Sequence, residues 1–265
     1  MCLILMCACS KINVAYDWAP RFAANYLDDN FDFTSERYDQ VKSVITGDLK
    51  TNKAFIKTEV LQHLDTVLAA TDQKDLTIEQ LEKFAEQLKK TQLKAIEAIK
   101  PTISEVVLNM SREELAYLKK KTTKRWTLFE ENLAESDKYK KKSLEKFEEN
   151  MKTLFDLVTD EQKKIYSEFI DQNIIFVKFQ LTQRQNFFQK FESSFDKKAE
   201  LLDLTLKTYA NDDSIKTAEQ KTAEKSALKR ALEVSQKVWA SLSLEQRQYF
   251  KKTVQEYRTE IQKLE

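Results

Sequence analysis

Glycine is almost missing from this chain. Gly47 stands alone among 265 residues, and proline occurs only as Pro20 and Pro101. Hairpins and tight turns draw on residues that tolerate φ > 0, and sheet folds need many of them. A chain of this length with one glycine is therefore expected to be all-α. Cysteine is confined to Cys2, Cys7 and Cys9. The body beyond them can form neither a stapling disulfide nor a thiolate metal site. Histidine occurs once, as His63, so a His-pair zinc site is excluded and only one side chain of suitable pKa could act as a triad base. Nucleophile elbows and phosphate-cradling loops need glycines that are absent. Neither sign of charge dominates, with Lys+Arg 44 against Asp+Glu 43 and a net charge of +1. A nucleic-acid binder normally carries a basic excess or stripe. The dense basic runs Lys119-Lys120-Lys121 and Lys140-Lys141-Lys142 lie near Glu130-Glu131 and Glu148-Glu149, the pattern of solvated helix faces. The expectation is a non-enzymatic protein with no cofactor, no metal, no small-molecule substrate and no nucleic-acid partner.

What is abundant is charge, at 33% of residues and mostly Lys and Glu, both good helix formers. Five segments punctuate the chain: Phe33-Thr34-Ser35-Glu36-Arg37, Leu76-Thr77-Ile78-Glu79-Gln80, Met110-Ser111-Arg112-Glu113-Glu114, Val158-Thr159-Asp160-Glu161-Gln162 and Leu242-Ser243-Leu244-Glu245-Gln246. Each runs from an apolar residue to a hydroxyl, with a carboxylate three places after the apolar one. All but the first also carry Glu or Gln three places after the hydroxyl. This is helix-capping chemistry: the hydroxyl accepts a first-turn N–H, and the Glu or Gln reaches back to the cap residue's own N–H. Phe33, Leu76 and Met110 have staple partners in Tyr38, Leu81 and Leu115, whereas Val158 and Leu242 meet Lys163 and Arg247 instead. The intervals between segments are too uneven for a solenoid.

Apolar residues recur at helical spacing behind these starts, as in Leu81, Ala85, Leu88, Gln92, Ala95 and Ile99 with one polar break. Helices are placed near 13–30, 35–71, 78–99, 102–109, 112–134, 137–157, 160–209, 214–241 and 244–264, with a break or bend at Pro101 and a linker at Asn211-Asp212-Asp213. An unbroken helix over 160–209 would be ~75 Å long, so an elongated molecule or a kink is expected. The architecture predicted is a single-domain elongated bundle of about six to eight amphipathic helices. Phe187-Phe188 opens a Phe-dense stretch in which both rings cannot face one seam, leaving Phe187 as a candidate groove-rim residue. Trp126 is expected to anchor the core, and His63 to sit at its edge.

The N-terminus carries an address. Met1-Cys2-Leu3-Ile4-Leu5-Met6-Cys7-Ala8 is apolar and leads into Cys9-Ser10-Lys11. It is far shorter than the ~20 residues that span a bilayer. Met6-Cys7-Ala8-Cys9 resembles the cleavage box of a bacterial lipoprotein signal peptide. The basic n-region is missing, which implies a start upstream of Met1. The resemblance implies removal of residues 1–8 and a diacylglycerol thioether with a further acyl chain on Cys9, a durable anchor because each buried CH₂ contributes ~0.8 kcal/mol. In lipoproteins Asp after the Cys favours the inner membrane, so Ser10 implies the outer membrane, with residues 9–265 as a helical body facing the periplasm.

A polar-aromatic stretch follows, Tyr16-Asp17-Trp18-Ala19-Pro20-Arg21-Phe22, leading to Tyr26-Leu27-Asp28-Asp29-Asn30-Phe31-Asp32-Phe33-Thr34. With Cys9-Ser10 it resembles an uncharacterised family of Gram-negative all-helical lipoproteins that repeat Leu-Ser/Thr-x-Glu-Gln helix starts. The resemblance implies location and fold and assigns no activity. Leu76-Thr77-Ile78-Glu79-Gln80 and Leu181-Thr182-Gln183-Arg184-Gln185 also resemble the Leu-Thr-x-x-Gln motif of small periplasmic helical chaperones. The functional expectation is a lipid-anchored envelope adaptor or scaffold, with Trp18, Tyr26, Asp28, Asp29 and Phe187 as candidate surface for an unknown protein partner. A chaperone-like binder of unfolded clients and a cytosolic coiled-coil interaction protein are the alternatives.

Overall fold

The computed structural model describes residues 12–264. Among them it holds ten α-helices: α1 (Ile12–Phe31), α2 (Ser35–Thr71), α3 (Ile78–Ala98), α4 (Lys100–Leu108), α5 (Arg112–Ala134), α6 (Ser136–Phe155), α7 (Asp160–Ser193), α8 (Lys198–Tyr209), α9 (Ala218–Ala240) and α10 (Leu244–Gln262), with one 3₁₀ turn at Asp213–Ile215. The class is all-α, as expected. The helices outnumber the six to eight anticipated.

All five anticipated starts are N-caps. Thr34 accepts from the N–H of Arg37, and full capping boxes form at Thr77–Gln80, Ser111–Glu114, Thr159–Gln162 and Ser243–Gln246. A sixth, Thr217–Gln220, opens α9. It falls in the widest interval between the other five, where Lys216 rather than an apolar residue precedes the hydroxyl, and it places the helix start after residue 214.

The turns that glycine would normally make are made by Asp and Asn. Asp32, Asp156 and Asn211 take positive φ of 56°, 70° and 52°, which their short polar side chains tolerate better than other non-glycine residues. Pro101 sits in the first turn of α4, where its missing N–H costs nothing, and the chain bends at Ile99.

The segment 160–209 is two helices. After Ser193 the chain makes tight turns, with Phe195 N–H donating to Glu192 and Lys197 N–H to Ser194. No glycine or proline marks this break. It occurs because Phe195 and Leu201, 7% and 0% exposed, turn in on Val107, Met110, Phe188 and Phe191. Tertiary burial overrides an unbroken helical pattern.

Two long antiparallel pairs give the body its length. α10 runs back along α2, pinned by Lys251–Asp72 at 2.6 Å, Arg258–Asp65 at 2.5 Å and Lys57 Nζ to the Leu264 carbonyl at 2.7 Å. α7 runs against α6 through Lys163–Glu148 and Lys140–Asp171, against α9 through Arg230 to Asn173, and against α5 through Gln185 to Glu130 and Lys119 to Glu192. At 1.5 Å per residue α2 spans ~56 Å and α7 ~51 Å. The apolar interior is divided into three clusters rather than one.

Candidate functional site

Helix turns gather at two places, and the capping segments are what meet there. At the first, the α1–α2, α4–α5 and α7–α8 turns converge. Arg37, in the first turn of α2, pairs with the Glu105 carboxylate and donates to the Glu105 carbonyl at 2.7 Å. Its Nε lies 3.6 Å from Glu114, the reciprocal residue of the α5 capping box, too far for a hydrogen bond and otherwise unpartnered. Lys198 donates to the Met110 carbonyl at 2.8 Å with its ammonium 3.5 Å from the centroid of the Phe195 ring. Desolvation at this packed junction pushes its pKa down from the ordinary lysine range.

At the second, the α2–α3, α6–α7 and α9–α10 turns converge. Gln162 and Gln246, 0% and 1% exposed, exchange amide hydrogen bonds of 3.0 and 3.2 Å. Each also accepts from its own cap residue, Thr159 N–H at 2.9 Å and Ser243 N–H at 3.0 Å, and Gln246 donates to the Leu157 carbonyl at 3.0 Å. Two capping boxes are thus locked tip to tip. Val158 and Leu242, which lack local staple partners, share one cluster with Met151, Phe155 and Phe250. Arg247 bridges to the α2–α3 turn, donating to the carbonyls of Gln73 at 2.8 Å and Lys74 at 2.7 Å, and to that of Trp239 in α9 at 2.7 Å. The sequence shows these segments as punctuation. That they pair across the fold was not visible, since nothing local says which box meets which.

The candidate surface residues divide. Cys9 and Ser10 lie outside the described residues. Trp18 and Tyr26 are 47% and 66% exposed, and Asp29 is exposed on the same outer face of α1. Phe22, 53% exposed, lies between them, and Arg21 places its guanidinium 5.2 Å from the Trp18 ring. Sequence reading passed over Phe22, although the spacing of Trp18, Phe22 and Tyr26 at i, i+4, i+8 was the signal. Asp28 is engaged in its own turn: its carbonyl accepts Asp32 N–H at 2.7 Å and its Oδ1 accepts Phe33 N–H at 2.9 Å. Phe187 is half-buried 6.0 Å from Phe191, at the margin of the cluster that holds Phe188. Trp126 packs edge-on to Phe188 at 5.5 Å and anchors that cluster.

The inner face of α1 is fixed to the body. Ala24 is fully buried in the cluster that contains Val41, Ile45 and Val106. The Tyr16 hydroxyl donates to the Leu49 carbonyl at 2.5 Å, and desolvation raises that phenol's pKa. Asn30, 6% exposed, donates to Tyr26 O and accepts from Arg125 of α5, each at 2.6 Å. The outer face is therefore held in a set orientation.

His63 sits between α2 and α3. The Thr91 hydroxyl donates to Glu59 at 2.6 Å and so accepts from His63 Nε2 at 2.9 Å, which leaves Nδ1 buried without a partner. Lys94 completes the network at 2.6 Å from Glu59, and the hydrogen bonds of Lys94 and Thr91 hold the Glu59 carboxyl below its usual range. A relay would need the carboxylate on the histidine, and here it is on the threonine. Between α5, α6 and α7 an open recess of about 280 Å³ is lined by Phe129, Tyr139, Tyr166, Lys142 and Lys146. Among the described residues no group of His, Cys, Asp and Glu is placed to hold a metal ion, and no helix is long and apolar enough to cross a membrane. Of the two Leu-Thr-x-x-Gln segments, the one at Thr77 is a capping box, while Thr182 lies inside α7 and donates back to Lys178.

Compared with known proteins, the chain matches no family model, no curated protein and no solved structure.

Proposed function

We propose that this protein is a lipid-anchored scaffold of the bacterial cell envelope, attached to the outer membrane through Cys9, with a helical body that faces the periplasm and holds a protein partner without catalysis. The observation that carries the scaffold reading is the pair of locked turn junctions. Buried polar networks at both fix the angles between helices, so surfaces along a body about 50 Å long keep constant separations. The Ala8-Cys9-Ser10 sequence supports the anchor. Exposed aliphatic side chains support the partner: Ile175 on α7 and Leu228 on α9 are 78% and 50% exposed. Exposed aliphatic side chains flanked by polar ones suit a protein interface.

The anchor is tested by radiolabelled palmitate in the native host, with Cys9→Ala as the control. Label on the wild-type chain and none on the variant is expected. Equal labelling of both, or none on either, removes the envelope assignment. A photo-crosslinker at Ile175 or Leu228 should trap one discrete protein. Absence of any adduct at both positions counts against a partner on this part of the body.

A further inference from the structure

The outer face of α1 carries three exposed aromatic rings beside one arginine, with the exposed Asp29 at its far end, and aromatic rings next to a basic group are a composition that bilayer surfaces collect. Trp18, Phe22 and Tyr26 form a continuous stripe, with the Trp18 and Phe22 ring centroids 6.4 Å apart, and they leave roughly 300 Å² of aromatic surface in water. Arg21, beside the stripe, makes no ion pair among the described residues, its recorded contact being the Trp18 ring. Tryptophan and tyrosine with an adjacent arginine are the side chains that settle at the headgroup level of a membrane, with ring bodies in the acyl boundary and polar tips among phosphates. We infer that this face of α1 lies flat on the phospholipid bilayer that carries the anchor.

The inference rests on the lipid at Cys9, because the tether supplies the local concentration that three rings alone would not. Covalent reach sets the scale. From Cys9 to Ile12 the chain spans at most ~10 Å, and the helix rises ~9 Å more to Trp18 and ~12 Å from there to Tyr26. A helix standing upright would bring only Trp18 to the headgroups, whereas a flat one seats all three rings. The opposite face of α1 is held on α2 and α5 through Tyr16, Ala24 and Asn30, so docking α1 sets the orientation of the whole body. The exposed face is thereby assigned to lipid, and protein recognition is left to the rest of the body.

Full-length protein from its own host, reconstituted into phosphatidylethanolamine–phosphatidylglycerol vesicles with bromine on the upper acyl carbons, tests this through tryptophan emission. Trp18 is one of three tryptophans, and Trp126 and Trp239 are both half-buried. Quenching should be present in the wild type, vanish in Trp18→Phe, and fall at least about twofold in Phe22→Ser/Tyr26→Ser, with helical circular dichroism unchanged in each. Mass spectrometry of the same samples reports the acyl state. Acylated protein without quenching, or with quenching indifferent to Phe22 and Tyr26, overturns the docking while the anchor stands. An unmodified Cys9 overturns both.

Discussion

Replacing Gln246 with alanine should cost far more than the same change at Gln80, though both residues close capping boxes of the same pattern. Gln80 is exposed, and its box faces water. Losing its reciprocal bond leaves an N–H that solvent can satisfy, so the cost should stay near or below ~1 kcal/mol. Gln246 is 1% exposed and serves four bonds: it accepts from Ser243 N–H and Gln162 Nε2, and donates to the Leu157 carbonyl and to Gln162 Oε1. Truncation strands buried groups whose unsatisfied cost is ~1–3 kcal/mol each, partly shared because they belong to one network. A total of ~3–4 kcal/mol is expected, or roughly 6–15 °C in Tm for a chain of this size. Urea unfolding followed by circular dichroism, at unchanged m, gives the difference directly. A double-mutant cycle with Gln162→Ala should return a coupling of ~1 kcal/mol or more, since the second truncation removes a partner already lost. Equal costs at Gln80 and Gln246, or an additive cycle, would refute the claim that the two boxes lock each other.

Arg37→Ala should destabilise by ~3 kcal/mol, because it leaves the Glu105 and Glu114 side chains, 24% and 9% exposed, without their shared cation. Adding Glu114→Gln should recover part of that loss, and a single-variant cost below ~1 kcal/mol would show the junction to be solvated. Gly47→Ala should stabilise by ~0.5–1 kcal/mol: Gly47 lies within α2, and an added Cβ would meet nothing within 4 Å. A fall in Tm would contradict the open surroundings seen there.

The helices and their starts were legible in the sequence because capping and amphipathic spacing are local. Thr77 needs only Gln80 to declare a start, and a chain with one glycine has few alternatives to helix. The ends without such chemistry were not legible. The break after Ser193 carries no glycine or proline, and it exists because Phe195 and Leu201 find Val107 and Met110, almost ninety residues earlier in the chain. Trp18 and Tyr26 could be named as surface aromatics from their polar neighbours. That Phe22 joins them, that Asp28 closes its own turn, and that Phe187 is half-covered depended on how α1 and α7 are seated. Composition and local hydrogen bonding, which act within a few residues, determined the class and the helix starts. Only the tertiary structure decided which capping boxes face each other, because a buried amide chooses its partner by position in space.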